Sequence, residues 1–549
     1  MKSLPEAIEV LIVGAGPVGM ATANLLASFG VKGLVIDKEP DIFAQPRAIS
    51  LDNEALRVLQ WAGLDENSFS RIGLGSVRFN SPLFGEIARV NSAGSIDCHP
   101  KAISFFQPEL EQALLTRLQK REEFSLHRGV SLLSSIQTEK GVQATLEDEC
   151  GNKHELHCQF LIAADGANSS VRKSLGLDFK GGKQYDEDWL IVDVKGISKS
   201  NIKQPIDHVE FICDPKRSVP HLPAPGDRER WEFKLRKNED PKTLLQDENI
   251  RKLLLPWFPQ QDANIERKAV YRFQANVAPK FSKGKIFLVG DAAHVTPPFI
   301  GQGLVAGLRD GANLSWKIAS VLKGFGHEKI LQSYDTERRP HAKAMIKLAV
   351  IAGRVVMPQN KLAAFISHGL VSLIAYLPFF KNLLKELEIK PENGFKKGLF
   401  VNGGNRIKRG HPLVQTELHH EDGRVFKSDD VLAGKFRLIA FGEDPHAYLS
   451  ENALNQWKAF GGECLQVCHH QQVFNRTQSS NCWEDKKGTL LPGVAPLGWL
   501  AIVRPDQIVM HDGPLENAEQ IVQEVFDAMG FSGQALSVQP GLSMNSSSI

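Results

Sequence analysis

Unbroken apolar runs alternate with helical repeats in the first part of the chain. Residues 9–14 (EVLIVG) and 33–37 (GLVID) are apolar at successive positions, which is typical of parallel strands buried on both faces. Between them, residues 17–29 have apolar positions at helical spacing, with Pro17 in the first turn and Gly30 just past the end. The pattern predicts a βαβ unit, the building block of a parallel sheet covered by helices.

The pattern changes in the middle of the chain and then returns. From about 180 to 271, runs such as WLIVDVKGI and RWEFKLRK alternate and contain aromatic residues, as antiparallel strands do. Another buried strand follows at 285–290 (KIFLVG), then a long helix after Gly301. Residues 330–396 have a helical pattern.

A third region follows a glycine-rich linker near 402–405. It has strand-like runs FRLIAF and WLAIVRP and a helix near 517–529. The predicted organisation is a first domain with a helical extension, an inserted β domain and a C-terminal domain, which cover 1–180 plus 272–400, 181–271 and 405–549.

Composition narrows the partners. The 65 basic residues nearly balance 63 acidic ones, so the net charge of +2 gives no case for nucleic acid or an anionic membrane. Residues 362–380 lack charge but contain Ser, His, Gly and Pro, and we interpret them as a buried or interface helix pair rather than a membrane span. The seven cysteines form no C-x-x-C pair, which suits a reducing cytoplasm. The cluster Cys464, Cys468 and His469 lacks a second partner cluster, so no metal site is expected.

The sequence Gly14-Ala15-Gly16-Pro17-Val18-Gly19 lies between the first strand and the first helix. Gly14 permits a tight turn, Gly16 lets backbone approach a pyrophosphate, and Gly19 allows close helix–strand packing. The helix N-terminus supplies donors and partial positive charge. Asp37 ends the next strand, near the spacing of a ribose-binding carboxylate. This segment predicts a dinucleotide site, open to NAD or FAD.

Two later segments place a carboxylate at a strand end. Asp165-Gly166 follows the strand QFLIAA and precedes S-x-V-R. Asp291 follows the strand KIFLVG and opens the loop GDAAHVTPPFIGQG, where a diol is a natural partner for its carboxylate. Gly301 and Gly303 free backbone N–H groups at a helix N-terminus, which suits the anionic edge of a reduced flavin.

The three segments together resemble the class A flavoprotein aromatic hydroxylases, the para-hydroxybenzoate hydroxylase and phenol hydroxylase fold family, over about residues 8–345. The stretches PRAISLDNEAL, Arg230-Trp231-Glu232-Phe233 and GDAAHVTPPFIGQG are similar to the 3-(3-hydroxyphenyl)propionate hydroxylase-like subgroup. They also resemble polyketide-tailoring hydroxylases, so the substrate stays open. The family usually has Met-Asn after Gly-Gln-Gly, where this chain has Leu304-Val305.

The resemblance implies an α/β fold with an FAD-binding Rossmann-like domain of the glutathione-reductase type, an inserted antiparallel β substrate domain and a C-terminal thioredoxin-like domain without redox cysteines. It assigns an FAD contact to Arg47 and a cofactor-reaching amide to Gln107. It gives Asp165 to FAD and the nicotinamide donor, and Asp291 to the ribityl or ribose part. The candidate cofactor-binding residues are Gly14, Gly16, Pro17, Gly19, Asp37, Lys38, Arg47, Gln107, Asp165, Asp291, Pro298, Gly301, Gly303 and Leu304.

The implied activity is a monooxygenase that uses FAD, NADH or NADPH, and O2 to hydroxylate a small phenolic substrate through a flavin C4a-hydroperoxide. The sequence contains no second dinucleotide-binding βαβ unit, so NAD(P)H is expected to bind transiently. Candidate catalytic residues are Pro297, Pro298, Tyr271 and His208, and no spacing rule selects the base. A tailoring oxygenase that performs epoxidation or rearrangement, an FAD-dependent dehydrogenase and a homodimer all stay open.

Overall fold

The computed structural model describes residues 4–43, 47–179, 185–203, 205–358, 360–376, 390–402, 406–469 and 482–532. Two compact units emerge, residues 1–312 with 338–393 and residues 313–337 with 394–549. Part of the motif stretch at Gln45-Pro46, most of the linker at 402–405 and the domain boundary near 180 lie outside the described residues.

The elements of the first unit run in chain order as follows. Up to residue 179 they are β1 Ala7–Val13, α1 Pro17–Ser28, β2 Gly33–Asp37, β3 Ser50–Asp52, α2 Asn53–Trp61, β4 Arg71–Gly73, β5 Ser76–Ser81, β6 Gly85–Asn91, β7 Ser95–Ile96, β8 His99–Pro100, β9 Ala102–Phe105, α3 Gln107–Leu118, β10 Phe124–Arg128, β11 Ser131–Gln137, β12 Val142–Glu147, β13 Lys153–Ala163 and α4 Ser170–Ser174.

The remaining elements complete the chain. They are β14 Asp186–Lys195, β15 Val209–Ile212, β16 Val219–Ala224, β17 Arg228–Lys234, α5 Pro241–Leu244, α6 Asp247–Leu254, β18 Ile265–Gln274, β19 Asn276–Val277, β20 Ser282–Lys283, β21 Ile286–Leu288, β22 His294–Val295, α7 Gly303–Leu322, α8 Gln332–Val356 and α9 Lys361–Tyr376. In the C-terminal part they are β23 Glu417–His419, β24 Val425–Lys427, α10 Ser428–Leu432, β25 Phe436–Phe441, α11 Glu451–Ala459, β26 Gly462–His469, β27 Cys482–Asp485, β28 Trp499–Val503, β29 Val509–Pro514 and α12 Ala518–Met529.

The first sheet confirms the predicted βαβ unit. Strand β1 pairs in parallel with β2 on one side and β13 on the other, while β21 pairs in parallel with β13. The carboxyl ends of β1, β13 and β21 therefore meet at one edge of the sheet. These ends carry Gly14, Asp165 and Gly290-Asp291, so the sheet brings the three predicted segments together.

The second sheet has the order β18-β14-β17-β16-β15-β5-β6 and contains the predicted antiparallel insert. Two of its strands, β5 and β6, come from residues 76–91, outside the predicted insert. One face packs on α5 and α6 through Val192, Trp231 and Ile250. Sequence periodicity did not identify either helix or the two added strands.

The helical prediction for 330–396 is correct only in part. Helices α8 and α9 cover Gln332–Val356 and Lys361–Tyr376. Residues 390–396 form turns and bends rather than a helix, and 377–389 lie outside the described residues. Lys390 is drawn instead into ion pairs with Asp52 and Glu54, which hold it against α2.

Of the two alternatives predicted for this segment, a buried or an interface helix pair, α9 is not buried, because one of its faces is apolar and exposed. Its exposed large side chains are Leu362, Phe365, Ile366, Leu370 and Leu373, each between 54% and 69% accessible. None of the helices described is both long and apolar enough to cross a membrane.

The C-terminal unit contains a mixed sheet in the order β24-β23-β27-β26-β25-β28-β29. Strands β25, β26 and β27 run parallel, and β28 and β29 pair antiparallel beside β25. The strand predictions for FRLIAF and WLAIVRP and the helix prediction near 517–529 are confirmed. The adjacent strands β26 and β27 also bring the sulfur atoms of Cys468 and Cys482 to 2.7 Å, a pair that C-x-x-C spacing does not reveal.

A buried ion cluster stabilises the C-terminal unit. The guanidinium of Arg504 donates to both carboxylate oxygens of Glu337, at 2.8 and 3.1 Å, and also pairs with Asp506. Lys317 Nζ lies 2.8 Å from a carboxylate oxygen of Glu337. The side chains of Lys317, Glu337 and Arg504 are fully buried. Burial alone would raise the Glu337 pKa, but Arg504 and Lys317 hold it well below its usual range.

Replacing Arg504 with Met should therefore lower the free energy of unfolding of this unit by roughly 3 kcal/mol, since a broken buried pair leaves an uncompensated charge. Urea unfolding of the full chain, followed by tryptophan fluorescence, measures the loss. Arg424→Met is the matched control, because Arg424 is 67% exposed in its pair with Asp422 and its loss should leave stability nearly unchanged. Equal destabilisation by the two variants would contradict the assignment.

Candidate active site

The glycine-rich turn after β1 has the shape that an anion cradle requires. Gly14 has φ +109°, and a Cβ there would lie 2.3 Å from the carbonyl oxygen of Ala164. A Cβ on Gly19 would lie 2.0 Å from the carbonyl oxygen of Gly14, so the helix packs directly on the turn. Gly16 faces open space, and Pro17 begins α1. The N-terminal N–H groups of α1 are thus available to a pyrophosphate.

Asp37 at the end of β2 shapes this turn. Its Oδ2 accepts a 2.6 Å hydrogen bond from the Ala15 N–H, and its Oδ1 accepts one from Glu39. Lys38, the next predicted contact, is 74% exposed and lies 3.7 Å from Glu39. Asp37 therefore links β2 to the glycine turn, whereas Lys38 points to the solvent side of the same edge.

The second segment connects the first to the third. Asp165 Oδ2 accepts from the Val171 N–H at 3.2 Å, while its Oδ1 is buried without a hydrogen-bond partner. Arg172 donates to the carbonyl oxygen of Ala292 at 3.0 Å and to that of Ala167 at 2.8 Å. The orphaned oxygen of Asp165 is a ready acceptor for a ligand hydroxyl.

The third segment is held from beneath by Asp310 on α7. Asp310 accepts hydrogen bonds from the Gly290 N–H at 3.1 Å, from His294 Nε2 at 2.7 Å and from Arg338 Nε at 2.9 Å. His294 is therefore a structural partner within the loop. Sequence reasoning missed Asp310 and Arg338, although charged residues inside an apolar helical stretch are a visible signal for a buried pair.

Asp291 is left free to meet a ligand. No hydrogen bond from the described part of the chain reaches its carboxylate. Burial raises its pKa, and the charges of His294 and Arg47 counter that effect in part. A ligand hydroxyl group could donate a hydrogen bond to this carboxylate, and the sequence predicts a ribose or ribityl chain as the source of that hydroxyl.

The loop ends at the start of α7. Gly301 has φ +62°, and Gly303 opens the helix with free space beside its Cα. The Gln302 side chain donates to Asp52 at 2.9 Å, which fixes the loop to the N-terminus of α2. Leu304 is half-buried and Val305 is fully buried, so only backbone N–H groups here are available to the edge of a flavin.

Arg47 and Gln107 lie together. The Gln107 Oε1 accepts from the N–H groups of Arg47 and Ala48 at 2.9 and 2.8 Å, while its Nε2 donates to Glu111. The Gln107 amide therefore shapes the Arg47 loop. The carbonyl of Arg47 accepts from Arg230 of β17 at 3.0 Å, which ties the loop to the second sheet.

An aromatic cluster joins the third segment to the second sheet. Phe299 follows Pro298 in the flavin loop, and its ring lies 5.5 Å from that of Tyr185 and 5.8 Å from that of Trp189. Ile49, Ile191 and Phe211 join the same apolar cluster. This side of the sheet excludes water and faces the loop that contains Pro297 and Pro298.

The other two catalytic candidates, Tyr271 and His208, have different positions relative to this aromatic cluster. Tyr271 is opposite Trp189 in the sheet, and its hydroxyl accepts from Arg267 at 2.6 Å. His208 precedes β15, and its Nδ1 lies 2.9 Å from the exposed carboxylate of Asp207. Tyr271 therefore lies among the strand residues that pack against the aromatic cluster. His208 instead pairs with the exposed carboxylate of Asp207.

These features fit FAD. The open positions at Gly16, Gly166 and Gly303 leave room for a ligand along one sheet edge. The orphaned oxygen of Asp165 and the unpaired carboxylate of Asp291 offer acceptors for its hydroxyl groups. Two helix N-termini, those of α1 and α7, supply positive ends for a pyrophosphate and for an anionic ring edge.

Comparison with known proteins gives matches over nearly the whole chain. The FAD binding domain family matches residues 7–349, and the HcaD C-terminal domain family matches residues 410–528. The chain is 35% identical over 517 residues to a 3-(3-hydroxy-phenyl)propionate/3-hydroxycinnamic acid hydroxylase of Burkholderia cenocepacia (strain HI2424), covering 91% of this chain and 93% of that protein. It is 32% identical to the enzyme of that name from Escherichia coli (strain SMS-3-5 / SECEC), covering 92% and 91%.

Solved structures share the fold. The flavin-dependent monooxygenase PieE, in complex with FAD and substrate, aligns with a TM-score of 0.81 at 19% identity over 96% of this chain and all of that one. Aklavinone-11 hydroxylase, with FAD and aklavinone, aligns with a TM-score of 0.74 at 21% identity and the same coverage. The three segments, the family match over more than half of the chain and these relatives agree, and the chain belongs to the FAD-dependent aromatic hydroxylases.

Proposed function

We propose that this FAD-dependent aromatic monooxygenase hydroxylates a phenol that carries a carboxylate side chain, of the 3-(3-hydroxyphenyl)propionate or 3-hydroxycinnamate type. The observation that supports this most directly is the aromatic cluster that joins Phe299 of the flavin loop to Trp189 of the second sheet. A phenol ring suits an apolar surface built from Tyr185, Trp189 and Phe299. The substrate type is taken from relatives at 31–35% identity, which are 3-(3-hydroxy-phenyl)propionate/3-hydroxycinnamic acid hydroxylases.

Bound FAD supplies the electron transfer and oxygen activation that side chains alone cannot provide. The residues of this chain hold the cofactor and keep the reaction dry. We assign the pyrophosphate to Gly14–Gly19, the ribityl chain to Asp291 and a further hydroxyl to Asp165. Arg47, which lies near enough to lower the Asp291 pKa, would also contact the cofactor. Pro297, Pro298 and Phe299 would help to exclude water from the flavin ring.

NADH or NADPH is the proposed electron donor, and O2 is the proposed oxidant. The sequence contains one glycine-rich βαβ unit, so the nicotinamide donor is expected to visit the site transiently rather than occupy a domain of its own. A nicotinamide donor and seven cysteines without a disulfide are compatible with the reducing cytoplasm, where we place the enzyme.

We retain a thioredoxin-like fold for the C-terminal domain as a proposal. Its mixed sheet has a parallel core of β25, β26 and β27 with an antiparallel pair of strands at each edge, flanked by helices α11 and α12. The sequence lacks C-x-x-C, so we assign this domain a structural role.

A homodimer is the proposed assembly, with α9 as the contact. The exposed apolar face of α9 has no charged residue from 362 to 376, and Phe365 packs beside Phe84 at 5.5 Å. Interfacial membrane helices are rich in basic residues on their polar face, whereas α9 has a lysine only at its first position, Lys361. A second copy of the same uncharged face is therefore the occupant that this surface favours.

Isotope labelling tests the reaction. With 3-(3-hydroxyphenyl)propionate, NADH or NADPH and labelled O2, we expect mass spectrometry to find one labelled oxygen atom on the ring of the product. Unlabelled product would indicate the FAD-dependent dehydrogenase alternative instead. Label in an epoxide or a rearranged skeleton, obtained only with larger polycyclic phenols, would favour the tailoring oxygenase.

Asp291→Ala tests the cofactor assignment. The variant should bind FAD roughly 10- to 100-fold more weakly, since a hydrogen bond to a charged group contributes about 1.5–3 kcal/mol. Flavin absorbance after gel filtration, with the dissociation constant from fluorescence titration, measures the effect. Asp188→Ala removes an exposed carboxylate from β14 in the same unit and should retain full flavin. Unchanged affinity in the Asp291 variant would refute the role.

Leu370→Lys tests the assembly. The wild-type chain should sediment as a dimer and the variant as a monomer, because a lysine on each copy would place like charges in an apolar contact. Analytical ultracentrifugation across a concentration series gives the masses. Ile136→Lys changes an equally exposed apolar residue on β11 and should stay dimeric. A monomeric wild type would reject this interface.

A further inference from the structure

Glu232 of β17 stands in an otherwise apolar row of the second sheet. It lies opposite Ile191 of β14, which in turn lies opposite Ala269 of β18. Residues opposite each other in an antiparallel sheet share a face, so Glu232 lies on the side of Ile191. Ile191 packs in the same aromatic cluster as Trp189 and Phe299, so Glu232 lies on the face of the sheet that carries this cluster. Its side chain is buried, with 6% of the residue exposed.

The basic residues beside Glu232 form their ion pairs with Asp193, which offsets part of their charge. Arg230 donates to both carboxylate oxygens of Asp193, at 2.6 and 3.0 Å, and Arg267 donates to Asp193 at 3.1 Å. Within the described ranges, Glu232 itself forms no hydrogen bond or ion pair. A buried carboxyl without a partner is costly. A polar group of a ligand would satisfy it.

The charges around Glu232 keep it close to its titration point at neutral pH. Its pKa is raised to about 7, mainly by burial and also by the charge of Asp193, while Arg230 and Arg267 limit the rise. The nearby phenol of Tyr185 is different, because burial raises its pKa far above neutrality and the charges of Glu187 and Glu232 add to that shift. Of these two groups, Glu232 is the one that exchanges a proton readily near pH 7.

We propose, building on the phenol hydroxylation proposed above, that Glu232 is the general base for the hydroxyl group of the substrate. The phenolic O–H bond breaks, its electron pair stays on the phenol oxygen, and the proton forms an O–H bond with the Glu232 carboxylate. The resulting phenolate donates electron density to the ring carbons ortho and para to its oxygen. These carbons then react more readily with an electrophilic oxygen.

Glu232→Gln tests this role because it keeps the size and removes the base. We expect kcat for the hydroxylated product to fall roughly 100-fold, within the 10²–10⁴ range of general acid–base catalysis. FAD content and the affinity for the phenol, read from flavin absorbance, should stay within about threefold of wild type. Glu232→Asp should recover part of the rate, and Glu187→Gln, in the half-exposed pair with Lys234, should act as wild type. A Gln variant that forms product at the wild-type rate would overturn the proposal.

The pH profile provides a second readout. A base must be deprotonated, so kcat/KM of the wild type should rise with pH through the Glu232 pKa, and the Gln variant should lack this limb. The wild type should also lose the limb with a nitro-substituted phenol that is already ionised in solution. Persistence of the limb with that phenol would contradict the role of Glu232 even if the variants failed to fold. Absence of any hydroxylation by the wild type would instead reject the proposed function.

Discussion

The buried carboxylate of Asp310 is the contact on which the flavin site depends. It holds the Gly290 N–H, the His294 ring and the Arg338 guanidinium at once. Burial alone would raise its pKa, but His294 and Arg338 hold it below its ordinary value, so it stays ionised. Because Gly290 directly precedes Asp291, this anchor sets where the ligand-facing carboxylate lies. The short strand β21 could not fix a long loop alone.

Two arginines link the loops at the edge of the first sheet to each other and to the second sheet. Arg172 joins the Asp165 segment to the carbonyl of Ala292, and Arg230 joins the Arg47 loop to β17. Both bonds end on backbone carbonyls, so they position the chain without consuming the carboxylates that face the ligand. Hydrogen bonds to backbone carbonyls therefore help to position both the edge of the first sheet that faces the cofactor and the aromatic cluster on the second sheet.

Local patterns were sufficient for the parts of the fold that depend on neighbours in sequence. The unit from Ala7 to Asp37 and the strands at 436–441 and 499–503 follow from periodicity alone. Pairings between distant segments were not predictable, because no local signal draws β5 beside β15 or Cys468 beside Cys482. The three carboxylates at strand ends were found because the sheet edge is implied by the strand itself. Asp310 was missed because its partners lie 16 to 28 residues away.

Asp193 and Glu232 illustrate how one sheet gives two carboxylates opposite properties. They lie on neighbouring strands of the same face, and both are buried. Asp193 receives both arginines, which hold its pKa below the ordinary value against the effect of burial, so it serves as a fixed negative charge. Glu232 faces the same two arginines, whose charge Asp193 offsets in part, and burial dominates its pKa. The strong pairing at Asp193 therefore leaves a proton-exchanging group on the side of the aromatic cluster, since the full charge of both arginines would hold Glu232 ionised and weaken it as a base.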